Sequence, residues 1–150
     1  MNRWLSLLGF LVLVIGGGLA IGLLTTPGEW YAGLAKPSFN PPGWIFGPVW
    51  TVLYVLIAVA GWRSFEHDRT GQPMGFWWAQ LGLNFLWSPI FFAAHQIGQA
   101  FGVILLMLAA ILAFIATVWR QDRVAAWLLV PYAAWVSFAS VLNLAIFTLN

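Results

Sequence analysis

"GVILLMLAAILAFIA", residues 102–116, contains no charged residue and no amide. Its apolar side chains occupy consecutive positions rather than every second one, so it cannot be a two-faced strand of a membrane barrel. Extended to Gln96 and Trp119, it reaches the ~20 residues an α-helix needs to cross a hydrocarbon core about 30 Å thick. Stretches of the same kind flank it, and the expected spans are 5–24, 44–62, 74–94, 96–119 and 124–149. These predict an all-α membrane protein, a five-transmembrane-helix bundle forming one domain over residues 1–150.

Composition points the same way. The 150 residues are 62% hydrophobic and 7% charged, with a mean hydropathy of +0.89. A soluble domain carries about 25% charged residues, so this chain has too few to cover a surface facing water. Membrane lipid is the expected surroundings. Six basic residues against four acidic ones are too sparse for a nucleic-acid footprint. The absence of cysteine excludes disulfides, thiolate metal sites and cysteine nucleophiles. The first apolar run exceeds the ~7–15 residues of a signal-peptide core, and it is expected to stay on the chain.

Arg3, Arg63, Arg69, Arg120 and Arg123 fall on one side of the expected spans, and Lys36 alone on the other. The positive-inside rule then puts the arginine-rich side in the cytoplasm. Residues 25–43, the one long connection, lie on the far side with the C-terminus. The expected location is a bacterial cell membrane, with an outer membrane as the alternative. Loops this long within compact folds are usually functional, and prolines in "KPSFNPP" (36–42) would stiffen this one as a lid.

Polar residues inside the spans recur at helical spacing. Gln80, Asn84 and Ser88 share one face of the third segment; Tyr132, Trp135, Ala139 and Asn143 share one face of the fifth; Trp50 and Tyr54 are four apart in the second. An unpaired amide facing lipid costs several kcal/mol, so these faces are expected to point inward. Two readings stand side by side. The stripes bond helix to helix, each contact contributing on the order of 1 kcal/mol, or they line a ligand pocket of apolar walls and few polar anchors. Pro48, Pro89 and Pro131 fall on the same three segments and would open them locally. Trp4, Trp62, Trp77, Trp119 and Trp127 lie near segment ends, where interfacial anchoring is expected. Gly18 with Gly22, and Gly75 with Ala79, have the spacing of close helix contacts.

Catalytic chemistry has little to work with. His67 and His95 lie in different loops without partners at metal-ligand spacing, and no metal site is expected. Glu29, Glu66, Asp68 and Asp122 are all in loops, so no carboxylate pair meets inside the bundle for acid–base work. No intramembrane carboxylate is present to drive ion-coupled transport. No conventional catalytic residue is expected.

The stretches "WYAGLAKPSFNPPGWIFGPVWTVLY" (30–54), "LGLNFLWSPIFF" (81–92) and "PYAAWVSFASVLN" (131–143) resemble the translocator protein family, also called tryptophan-rich sensory proteins or peripheral-type benzodiazepine receptors. The pattern KPxFxPPxWxFxPVWTxLY within the first is specific. The resemblance implies a five-helix bundle, often homodimeric, with a pocket beneath the long loop for porphyrins and other planar aromatic ligands. It implies tetrapyrrole binding, porphyrin or haem being the ligand rather than a required cofactor, in a sensory or regulatory role. Alternatives it carries are light- and oxygen-dependent porphyrin breakdown involving Trp50 and Trp135, and passive translocation of porphyrin or other amphipathic molecules. Matched positions are Trp30 in the loop, Trp50 and Trp135 in the pocket, Asn84 in the third segment and Ala139 in the fifth. Lys36 would meet a propionate. A vertebrate sterol-associated pattern, tyrosine followed by a basic residue, is missing from "LNLAIFTLN" (142–150).

Overall fold

Asn2 starts the first helix by accepting a hydrogen bond from the Trp4 N–H through Oδ1 at 2.8 Å, which satisfies one of the free donors at a helix start. The structure, a computed structural model, describes residues 2–150. Helix α1 runs Arg3–Leu24, with a π-helical turn at Val12–Gly16. A short α2, Glu29–Ala32, lies in the long first loop. A 3₁₀ turn at Gly43–Ile45 leads into α3, Phe46–His67. Next come α4, Gln72–Ser88, continued by a π turn at Pro89–Ala93, then α5, Ile97–Val118, and α6, Arg123–Leu149.

Proline places the irregularity that ends α4 and leaves one ladder bond unmade in α6. Pro89 has no N–H to continue the ladder, and the chain widens so that the Ala94 N–H reaches the Pro89 carbonyl, five residues back, at 2.9 Å. Pro131 lies inside α6 and cannot bond the carbonyl one turn earlier. Asp122 starts α6, its Oδ1 accepting from the Ala125 N–H at 3.2 Å. The same carboxylate holds Arg63 at the end of α3 through Nε at 3.0 Å and Nη2 at 3.0 Å. Burial pushes the Asp122 carboxyl up; the Arg63 hydrogen bond, the Ala125 N–H and the Arg63 charge outweigh it and hold the group below its ordinary value of 3.8.

The long helices form a closed ring in the order α1, α3, α6, α5, α4, with α4 returning to α1. Two glycines allow close approach across it. A Cβ on Gly18 of α1 would run into the Tyr54 ring of α3, and one on Gly61 of α3 into the Trp77 indole of α4. Trp77 is thus fully buried, with Nε1 donating to the Ile57 carbonyl at 2.9 Å. That corrects its expected place among the interfacial anchors. Trp62 departs too: it is buried, and Nε1 donates to the Arg3 carbonyl at 2.9 Å. Trp4 and Trp127 are exposed, as anchors should be. A Cβ added to Gly22 or Gly75 would meet no neighbouring element within 4 Å, so neither glycine is needed for a close helix contact within the chain.

Four helical stretches, Arg3–Leu24, Gly43–His67, Ile97–Val118 and Arg123–Leu149, are long and apolar enough to cross a membrane. Helix α4 is 17 residues and carries Gln80 and Asn84, which lower its hydropathy. The chain is an integral, multi-pass membrane protein, all α and not a barrel.

Candidate ligand-binding site

The first loop is held down at several points over one end of the ring. Trp30 of α2 stacks on His95, centroids 4.0 Å apart and planes at 11°. His95 adopts a left-handed backbone, φ 57°, in the turn that follows the π segment. Trp30 also meets the edge of Phe91 at 5.9 Å, and Tyr31 meets Phe92 at 5.3 Å. The Asn150 amide clamps the backbone of Ala35 from both sides: Oδ1 accepts from its N–H at 3.0 Å and Nδ2 donates to its carbonyl at 2.9 Å. Lys36 folds back on the loop, Nζ donating to the carbonyls of Tyr31 at 2.7 Å and Leu34 at 3.2 Å, and lying 4.5 Å from the Tyr31 ring centre.

The polar stripes meet inside the ring, where they bond to one another. The Tyr132 hydroxyl donates to Gln80 Oε1 at 2.8 Å and accepts from Asn84 Nδ2 at 2.7 Å. Gln80 Nε2 donates to the Trp77 carbonyl at 2.8 Å. Asn143 Oδ1 accepts from Trp87 Nε1 at 3.0 Å while Nδ2 donates to the Ile97 carbonyl at 3.0 Å. Ser88 Oγ and Thr25 Oγ1 are 2.7 Å apart. These bonds tie α4 to α6, α6 to the start of α5, and α4 to the end of α1. The helix-to-helix reading therefore describes Asn84, Ser88, Tyr132 and Asn143 as they stand here.

The aromatic candidates divide into two neighbourhoods. Trp50 packs on Tyr54 at 5.5 Å and on the edge of Tyr132 at 6.3 Å, facing the interior. Ala139 packs against the same core. Trp135 instead meets Phe46 at 5.8 Å and Phe138 at 5.7 Å, and Phe138 meets Phe39 of the first loop at 6.2 Å. Trp135 lines a void of about 810 Å³ between α3 and α6, walled by Pro41, Ile45, Val49, Pro131 and Phe138. That volume falls within the ~300–1,000 Å³ of small-molecule sites. The void is a groove open along one side rather than the closed chamber implied by converging stripes. Pro48 and Pro131 both line it, and with Ala134 they present little side chain to fill the seam.

One polar atom stands out in this apolar wall. Trp135 Nε1 is buried and has no hydrogen-bond partner among the described residues. A buried donor without an acceptor costs about 1–3 kcal/mol, and an acceptor in the groove reaches this one only if the indole turns toward it. Ile45, Val49 and Phe138 are wall residues not singled out from the sequence, and Phe46 backs the wall through its contact with Trp135. The signal was there at Ile45, Val49 and Val52, an apolar ridge at helical spacing beside Pro48. Among the described residues no group of three His, Asp or Glu could hold a metal ion.

The sequence profile of the TspO/MBR family matches residues 10–149. Similar proteins include the tryptophan-rich sensory protein of Cereibacter sphaeroides, 37% identical over 98% of this chain and 92% of that one. Tryptophan-rich protein TspO of Archaeoglobus fulgidus is 39% identical over 97% of each chain, and the translocator protein of Homo sapiens is 36% identical over 98% of this chain and 91% of its own. With 11 tryptophans, a loop-capped ring of apolar helices and a profile match along nearly its whole length, the chain belongs to the TspO/MBR family, that of the tryptophan-rich sensory and translocator proteins.

Proposed function

We propose that the protein is a membrane binding protein for tetrapyrroles, which it holds as a sensor or regulator and does not transform by acid–base chemistry. The observation that carries this reading is the orphaned indole N–H of Trp135 in the wall of an apolar groove of about 810 Å³. A porphyrin is a flat apolar ring with carboxylate tails. Its face would lie on Trp135 and Phe138, aromatic contacts worth about 0.5–1.5 kcal/mol each beyond area burial. With the indole turned so that Nε1 reaches the groove, a carboxylate or carbonyl oxygen would accept from it. A propionate reaching the loop would meet Lys36, whose ammonium rests on carbonyls and has no carboxylate partner among the described residues. All five long helices cross the membrane in this reading, the first loop lies opposite the arginine-rich face, and two copies associate; chemical crosslinking in native membranes checks the last point.

Titrating purified protein with protoporphyrin IX, followed by tryptophan quenching, tests the assignment. Trp135→Phe keeps an aromatic face but removes the donor, and affinity should fall about tenfold. Unchanged affinity would overturn the site. A second reading, light-driven breakdown of the bound porphyrin with oxygen as the oxidant, draws on the ring contacts of Trp50 with Tyr54 and Tyr132. These offer an electron donor backed by two phenols. Under illumination without oxygen, breakdown should stop while binding persists.

A further inference from the structure

At the arginine-rich end, away from the first loop, a second void of about 360 Å³ opens between the start of α1, the end of α3 and the turn before α6. Its wall is charged where the groove's is apolar, with Arg3, Arg63, Glu66, His67 and Asp122 beside Trp62. Two of those charges neutralise each other, since Arg63 spends Nε and Nη2 on the Asp122 carboxylate. Arg3 and Glu66 have no ion-pair partner among the described residues.

Arg3 is held without being satisfied. Its guanidinium carbon lies 5.2 Å from the Trp4 ring centre and 5.4 Å from that of Trp62, and these indoles stack on each other at 5.8 Å and 27°. Trp62 is fixed in turn by its bond to the Arg3 carbonyl. A guanidinium attracted to rings keeps N–H donors free, in the fork geometry that matches a phosphate. Glu66 supplies the opposite sign across the same void. A ligand that satisfies both carries an oxyanion and a cation together, and in a membrane the oxyanion at hand is a lipid phosphate.

The helix below says where such a ligand comes from. Val59, Val55 and Val52 follow Glu66 at steps of seven, four and three along α3, on one face, and Val52 and Val55 are exposed. An acyl chain laid on that strip ends with its headgroup at Glu66. We propose that this void binds the headgroup of a zwitterionic phospholipid, an ethanolamine phosphodiester, with the phosphate on Arg3 and the ammonium on Glu66. Free phosphate shares half of that chemistry and lacks the chains. The headgroup void shares no lining residue with the tetrapyrrole groove; the acyl strip reaches that groove only at its far end, at Val52.

Native mass spectrometry of the full chain released from mixed micelles, offered phosphatidylethanolamine or phosphatidylglycerol, counts retained lipid. The intact protein should retain the ethanolamine lipid about tenfold better, the difference expected of one charge-assisted contact. Arg3→Gln should lose retention of both lipids by about the same factor. Glu66→Gln, at an exposed position, should erase the preference, with the glycerol lipid retained no less than before. Equal retention of the two lipids by the intact protein, or an Arg3→Gln variant of unchanged circular dichroism that keeps the ethanolamine lipid, overturns the proposal. So does displacement of the lipid by millimolar inorganic phosphate, which would mark a site for a soluble anion.

Discussion

At Gly61 the missing side chain lets the Trp77 indole lie against the α3 backbone and donate to Ile57. A methyl group there meets rigid ring atoms, not the end of a flexible chain, so Gly61→Ala should cost about 1–3 kcal/mol through overpacking. Thermal unfolding in detergent would show it, and Gly75→Ala, with open space around it, is the matched control. Tyr132 is the second residue of this kind. Its hydroxyl serves Gln80 and Asn84 at once, and Tyr132→Phe leaves Gln80 Oε1 and Asn84 Nδ2 without that partner in the interior. The expected loss is about 1–3 kcal/mol, with little change in the groove, to which Tyr132 does not contribute. Sequence made some of this readable and hid the rest. The four-residue step from Gln80 to Asn84 announces a common face, and only the fold reveals that Tyr132 meets it. Trp77 sits near the start of its segment, where an anchor is expected. Its burial depends on a glycine sixteen residues earlier on another helix, a pairing that spacing within one helix cannot express.

Among the elements, α1 and α4 each carry a π turn, and only the one in α4 begins at a proline. Pro89 imposes the π turn that leads into His95 and so sets the surface on which Trp30 stacks. With Pro89→Ala the ladder can close as ordinary α-helix, which rotates that turn. Amide hydrogen exchange over residues 29–36 should then quicken while exchange in α5 holds. The start of α6 depends on Asp122, which is both cap and ion pair. Its carboxyl is depressed when folded, so its stabilisation is fully present above the unfolded value and fades as pH falls through the lower folded one. The melting temperature should therefore drop on acidification below about pH 4, and Asp122→Asn should flatten that limb. Helical character was legible for every long element, because uninterrupted apolar runs leave no other way to satisfy the backbone in lipid. The seam between α3 and α6 was only half legible. Its prolines were noticed and Trp135 was singled out, but an open groove depends on which helices are neighbours, and the ring order is a tertiary fact.

Across the whole molecule, the two ends differ in what they offer. One end is aromatic, covered by the first loop and nearly free of charge; the other gathers arginine, carboxylate and imidazole around a polar void. Lys36 shows how this contrast exceeded the reading from sequence. It stands out in the sequence as the lone base on its side, and the fold adds that its ammonium also caps the carbonyls at the end of a four-residue helix. Asn150 joins the last turn of α6 to Ala35 by two backbone bonds, and α6 is also a wall of the groove. Flap and wall are in effect one mechanical part: whatever wedges α6 outward drags the covering segment with it, and filling the seam is thereby felt at the loop-bearing face of the molecule.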